Sequence, residues 1–169
     1  HFNFANPAIS LLVRRNLDRR FSVKGEISTM KIEGDDRISD DLLKKDRGLH
    51  FRSNIYELSS QIEFNFLPYE NGSVLYNWTP FIFSGLSLFN FNPQAENNDG
   101  QWVDLQPLGT EGQGTTAYPD RKKYPRTQVA LPMGGGVKYN LNDRLNIILS
   151  FSGRKTYTDY LDDVSTTYP

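Results

Sequence analysis

Six stretches of this chain carry the period-two alternation, or the short apolar run, of a β-strand. In the first, 5–16, Ile9, Leu11 and Val13 share one face, while Ser10, Leu12 and Arg14 share the other. In the second, 20–32, Phe21, Val23 and Ile27 alternate with Ser22, Lys24, Glu26 and Ser28. The third, 49–67, is the clearest. Tyr56, Leu58, Ser60, Ile62, Phe64 and Phe66 fall on one face, and Ser53, Glu57, Ser59, Gln61, Glu63 and Asn65 on the other. The fourth, 78–91, is apolar on both faces, so pattern alone does not orient it. The fifth spans 127–139. The sixth spans 144–160 and sets Leu145, Ile147, Leu149 and Phe151 against Asn146, Ser150, Ser152 and Arg154.

The connections are lopsided. A tight turn at 17–19, the segment 68–77 and the turn 140–143 join the strands at one end; the other end carries 33–48 and 92–126. Short turns at one end and long loops at the other mark an antiparallel up-and-down meander, as in outer-membrane barrels. Each run also supplies the ~9–11 residues a tilted membrane strand needs. Aromatic residues near both ends form an expected double girdle: Phe66, Tyr76, Trp78 and Tyr139 by the short turns, Phe51, Phe89, Phe91, Tyr157 and Tyr160 by the long loops. The expected fold class is therefore all-β, a single domain over 1–169 forming an up-and-down transmembrane β-barrel. Single-chain bacterial barrels begin at eight strands, so the six seen here imply one more before His1 and one after Pro169. A soluble barrel or sandwich would carry more Lys and Glu on its wet face. Two prolines cut against regular strands: Pro80 suits a strand start, whereas Pro132 calls for a bulge or an edge, because it donates no ladder hydrogen bond.

Composition narrows the function classes. The 169 residues have a formal charge of −1, which supplies no field to attract nucleic acid. Cysteine is absent, which removes disulfides, thiolate catalysis and cysteine-ligated metal. No run approaches the ~20 apolar residues of a transmembrane helix.

Each candidate for chemistry has a structural reading beside it. "GGGVK", at 134–138, lacks P-loop spacing and leads into no helix pattern. Its glycines read as strand sites where the sheet bends or a neighbouring side chain lies across. In the loop 33–48, Ser39 is an N-cap, Asp40 and Asp41 open a short helix, Lys44 and Lys45 close it, and Gly48 follows. Its acids lack EF-hand spacing and are interleaved with basic residues, so a solvated helix is expected in place of a calcium site. His1 and His50 belong to no recognisable hydrolase or zinc motif; a rim site using His50 with Asp159, Asp162 or Asp163 is the catalytic reading weighed against a plain interface residue. No enzyme activity, cofactor or metal site is expected. The inward charges Lys24, Glu26, Glu57, Gln61, Glu63, Lys138 and Arg154 read as a polar plug filling the lumen, with a channel or proton path as the alternative. The loop 92–126 exceeds a mere connection and offers Trp102, Tyr118, Arg121, Lys122 and Lys123 for surface contacts. At the short-turn end, Asp18, Arg19, Glu70, Asn71, Asn142 and Asp143 are placed to meet a periplasmic partner.

Five segments, "ANPAISL", "FRSNIYELSSQIEFNFLPYE", "LQPLGTEGQGT", "LPMGGGVKYNLNDRLNI" and "RKTYTDYLDDVSTTYP", together resemble a family of Bacteroidetes outer-membrane barrels that includes PorG of the type IX secretion and gliding machinery. The resemblance implies a non-enzymatic barrel of about eight strands in the bacterial outer membrane. It implies lipid contacts and periplasmic or lipoprotein partners of a secretion complex, and a structural or anchoring role. An adhesion barrel using the long loops, or a small-solute channel, are the alternative functions. In "SFSGRKT" the residues before Arg154 are small and neutral where the family pattern implies an acidic, lumen-facing residue, so an internal Glu–Arg pair at Arg154 loses support.

Overall fold

The computed structural model describes residues 6–35, 50–97, 100–109 and 123–157. They form one antiparallel sheet, with β1 at Ala8–Asn16, β2 at Phe21–Asp35, β3 at His50–Asn65, β4 at Trp78–Glu96, β5 at Trp102–Asp104, β6 at Thr127–Asn142 and β7 at Leu145–Thr156. The order is β1-β2-β3-β4-β6-β7, with the three-residue β5 attached to the end of β4. Each long strand pairs with the next long strand in the chain, so the architecture is the up-and-down meander that the turn asymmetry predicts. Among the described residues β1 and β7 are its two edges, and they are not paired with each other.

The six expected runs are all strands, but several extend further. β4 continues from Phe91 to Glu96 and β2 from Ile32 to Asp35. β5 is an addition, drawn from the long loop onto β4 by pairing Trp102 with Glu96 and Asp104 with Gln94. The short helix expected around Ser39 lies outside the described residues, as does the expected strand end at Tyr160.

Alternation sorts the side chains as read from sequence. On β3, Ser53, Glu57, Ser59, Gln61, Glu63 and Asn65 are buried while Tyr56, Leu58 and Ile62 are exposed. The strand that pattern could not orient, β4, buries Thr79, Phe81, Phe83, Ser87, Phe89 and Phe91 and exposes Ile82, Leu86 and Leu88. Three aromatics assigned to the long-loop girdle are thereby corrected. Phe89 and Phe91 lie on the inner face, because they share the odd positions of β4 with Phe81 and Phe83, and Phe51 does so on β3, in step with Ser53 and Ile55 and with its ring across Gly34.

Pro132 makes neither a bulge nor an edge. It is buried in β6, between β4 and β7. The β4–β6 ladder skips only Gly85 and Leu86, then resumes in the same register, with Ser84 opposite Met133 and Ser87 opposite Ala130. A missing donor costs local pairing without an extra residue, so facing is preserved on both sides of the proline. The register shift on β6 falls instead between Asn140 and Asn142, beside the turn into β7. The neighbouring glycines do what the pattern asks. A Cβ on Gly134 would lie 2.7 Å from Cζ of Phe83, whose ring crosses that position, and would strike the Phe151 carbonyl of β7.

The sheet is rolled. Arg154 of β7 contacts Glu57 of β3 at 2.6 Å although β4 and β6 lie between them. In a flat sheet those strands would stand about 14 Å apart, at ~4.8 Å per strand, beyond the joint reach of the two side chains. Curvature encloses the inner face without a second layer. Its apolar part sits at the long-loop end, where Ile55, Phe89, Phe91, Tyr124 and Ala130 cluster with Met30 and Ile32.

Candidate functional site

The rows of paired residues across the sheet show where polarity changes. One outward row runs Leu11–Ile27–Leu58–Leu88–Val129 and is wholly apolar. Nearer the short turns, Phe21–Phe64–Ile82–Gly135–Phe151 and Trp78–Tyr139–Ile147 continue the band. One row toward the long loops, the outward residues on β2, β3, β4 and β6 become Thr29–Tyr56–Asn90–Thr127, with exposed Ile9 of the edge strand β1 opposite Thr29, and the next is Lys31–Asn54–Asn92. On β3 the apolar stretch from Tyr56 to Phe66 equals the ~9–11 residues of a tilted membrane strand.

Behind that band the inner face is charged and paired. Glu63, with no side-chain exposure, is the centre. Arg14 of β1 reaches it with Nη2 2.9 Å from Oε1 and Nε 2.8 Å from Oε2. Lys138 of β6 reaches it from the other side at 2.6 Å and also donates to Asn65 Oδ1 at 3.0 Å. Lys24 pairs with Glu26 at 3.0 Å on the same strand. Gln61 donates to Ser59 at 3.0 Å. The rings of β4 roof these ammonium groups: Lys138 lies 4.6 Å from the centre of Phe81 and Lys24 5.1 Å from that of Phe83. Each of the seven polar inner-face residues expected from sequence is thus in one connected face.

Arg154 overturns the expectation drawn from "SFSGRKT". Its Nε donates to Glu57 Oε2 at 2.6 Å, so the carboxylate comes from β3 and not from the preceding residues of its own strand. Only the rolled sheet brings the two together. Sequence reasoning also missed Arg14, although its even position beside Ser10 and Leu12 carried the signal. Asn65, Phe81 and Phe83 carry no signal beyond their strand positions, and Tyr69, in a connection, carries none.

At the short-turn end the expected contact residues are held mainly within their own turns, and Arg19 and Glu70 hold each other. Asp18 Oδ1 accepts the backbone N–H of Arg20 at 2.6 Å and of Phe21 at 2.7 Å. Those two donors hold its carboxyl below the ordinary value of 3.8. Asn142 Oδ1 accepts from Arg144 and Leu145, both at 2.9 Å. Arg19 pairs with Glu70 at 2.9 Å and lies over Tyr76. Asn71 and Asp143 complete this end, where the carboxylate of Asp143 backs Gly72, whose φ is 80°. The loop between β3 and β4 turns Tyr69 inward, where it is buried and donates to Asn146 Oδ1 at 2.9 Å. Val74 and Leu75 of the same loop are exposed, at 88% and 85%.

At the long-loop end the strands overhang the apolar band, and their outer face is polar. His50 lies between two carboxylates, Nε2 2.7 Å from Glu33 and Nδ1 2.9 Å from Glu96. Trp102 packs edge-on against His50 and beneath the Arg52 guanidinium, 3.9 Å from its ring centre. Asp104 accepts from Gln94 at 2.7 Å and from Asn92 at 3.0 Å, with Arg126 3.6 Å away. Led by the Gln94 amide, these donors hold its carboxyl below the ordinary 3.8. Lys123 is exposed and donates to the Pro107 carbonyl at 3.2 Å. Tyr118, Arg121 and Lys122 lie outside the described residues, as do Asp159, Asp162 and Asp163.

A family model described as a domain of unknown function (DUF6089) matches residues 1–109. Neither the curated proteins nor the solved structures contain a match.

Proposed function

We propose that this chain, which belongs to the DUF6089 family, forms the wall of a membrane-spanning β-barrel in the bacterial outer membrane and serves there as a non-enzymatic anchoring component. The observation that carries the reading is the inversion of polarity: between the short turns and the Thr29–Tyr56–Asn90–Thr127 row, the outward side chains of β2, β3, β4 and β6 are uncharged and mostly apolar, the exposed charges Arg15 and Lys155 stand on the edge strands, and a charged cluster faces in. Water gives no reason to bury Glu63 and Lys138 while exposing Leu58, Leu149 and Phe151. A hydrocarbon surround gives that reason, since lipid-facing and lumen-facing residues alternate in such barrels. β1 and β7 run in opposite directions. Closure with every pair antiparallel therefore takes a direct seam or an even number of further strands, and two would bring the wall to eight.

The inner face supports a plug over a conduit. Glu63, Lys138 and Arg14 meet toward its short-turn end, Tyr69 folds in from the turns beside them, and the Phe91–Tyr124 cluster fills the other end. The assignment to a secretion apparatus of the type IX kind rests on the resemblance of the five segments named above. Membrane fractionation tests the wall: the full-length protein should remain in outer-membrane pellets after alkaline carbonate, and its release as a soluble monomer would defeat the reading. A photo-crosslinker at Val74 tests the anchor. Capture of periplasmic or lipoprotein components supports it, whereas capture only from positions in the long-loop overhang favours a surface-contact barrel.

A further inference from the structure

We propose that the inner face holds a binding site for one small monovalent anion, of the size of chloride, beside Arg14 and Lys138. The charge balance points to it. Lys24 is matched by Glu26 and Arg154 by Glu57, each as a pair. Arg14 and Lys138 share the single carboxylate of Glu63. Among the described residues one positive charge is left over, where Lys138 is 1% exposed. An uncompensated charge in such surroundings is costly, and it draws a counter-ion.

A space exists to hold it. A cavity of about 210 Å³ is lined by Arg14, Asn16, Tyr69, Asn71, Lys138 and Asn146. Its amides are oriented as donors. Asn16 Oδ1 already accepts from Ser22 Oγ at 2.9 Å, and Asn146 Oδ1 accepts from the Tyr69 hydroxyl at 2.9 Å. Each amide therefore has its NH₂ group left to give. Glu63 accepts from Nη2 of Arg14 and lies 2.8 Å from its Nε, which donates no hydrogen bond, and Nη1 is left outside that carboxylate's bond. Two cations and two amide donors around one cavity, with the nearest carboxylate already doubly engaged, make a site for an anion and a poor one for a metal or a neutral solute. The site is independent of where the barrel resides or what it anchors.

The test uses the full-length protein in detergent. Its thermal unfolding midpoint is measured in chloride against gluconate at constant ionic strength, because a ligand bound only by the folded state raises the midpoint with its concentration. The wild-type midpoint should climb with the logarithm of chloride. Asn146→Asp keeps the acceptor for Tyr69 and places a fixed carboxylate at the cavity. It should raise the midpoint in gluconate and remove the chloride dependence. A wild-type midpoint indifferent to chloride overturns the site, and so does an undiminished dependence in Asn146→Asp; a compensating carboxylate from elsewhere in the protein would give the first of these results. Should the variant not fold, bromide in crystals of the wild type decides. An anomalous peak within hydrogen-bond distance of Arg14 and Lys138 supports the site, and its absence there overturns it.

Discussion

The same strands obey opposite rules along their length. Above the Thr29–Tyr56–Asn90–Thr127 row, at the long-loop end, the outer face carries His50, Arg52, Asp104 and their partners, while Ile55, Phe91 and Tyr124 pack inside. That is the arrangement of a protein in water. Below the row the faces exchange: Leu58, Ile82 and Leu149 point out, and Glu63, Lys138 and Arg14 point in. Nothing in the backbone marks the change, since the register runs through it unbroken. The difference teaches that side chains alone carry the boundary, on an otherwise uniform sheet.

The strongest way to break the comparison is to remove the carboxylate at its centre. Glu63→Leu leaves Arg14 and Lys138 facing each other in the interior, and the loss should be about 3–5 kcal/mol of folding stability. Urea unfolding in detergent micelles measures it; a loss within the error of a surface substitution would mean that the inner face is wet. The next test asks what the outer face meets. Ile62→Arg, within the apolar band, should cost about 2–4 kcal/mol in a bilayer. Thr127→Arg, at the boundary row, should cost no more than roughly 0.5 kcal/mol. Equal costs at the two positions in lipid vesicles would abolish the boundary.

The smallest expected effect sharpens the water-facing half. Asp104 has its folded-state carboxyl held below 3.8, first by the Gln94 amide. Its contribution is therefore complete above that value and is lost as the pH falls through the lower, folded one. β5 should loosen from β4 only in strong acid, seen as faster amide exchange at Trp102–Asp104. Asp104→Asn should make that exchange insensitive to acid, and an onset near neutral pH would refute the assignment.

Much of this is legible in the sequence. Strict alternation on β3 places Glu57, Gln61 and Glu63 on one face, and the inward placing of Lys138 and Arg154 follows from the parity of their own strands. β4 is illegible, because apolar residues occupy both of its faces, phenylalanines on one and Ile82, Leu86 and Leu88 on the other, and polarity gives parity nothing to sort. Only its register against β3, with Glu63 opposite Phe83, fixes Phe81 and Phe83 as the roof over the ammonium groups. Pro132 misled for a related reason: its missing donor is visible in sequence, but whether a sheet answers with a bulge or a gap depends on the neighbours' pairing.

Sequence by itself determined the six long strands, their antiparallel order and, outside β4, which side chains share a face, because the two-residue period of a strand is a local property. It could not name partners across the interior. Arg154 reaches Glu57 past two strands, Tyr69 enters from a loop, and Arg14 and Lys138 divide one carboxylate. Those meetings depend on how tightly the sheet rolls, and curvature is a sum over every strand that no single stretch of sequence carries.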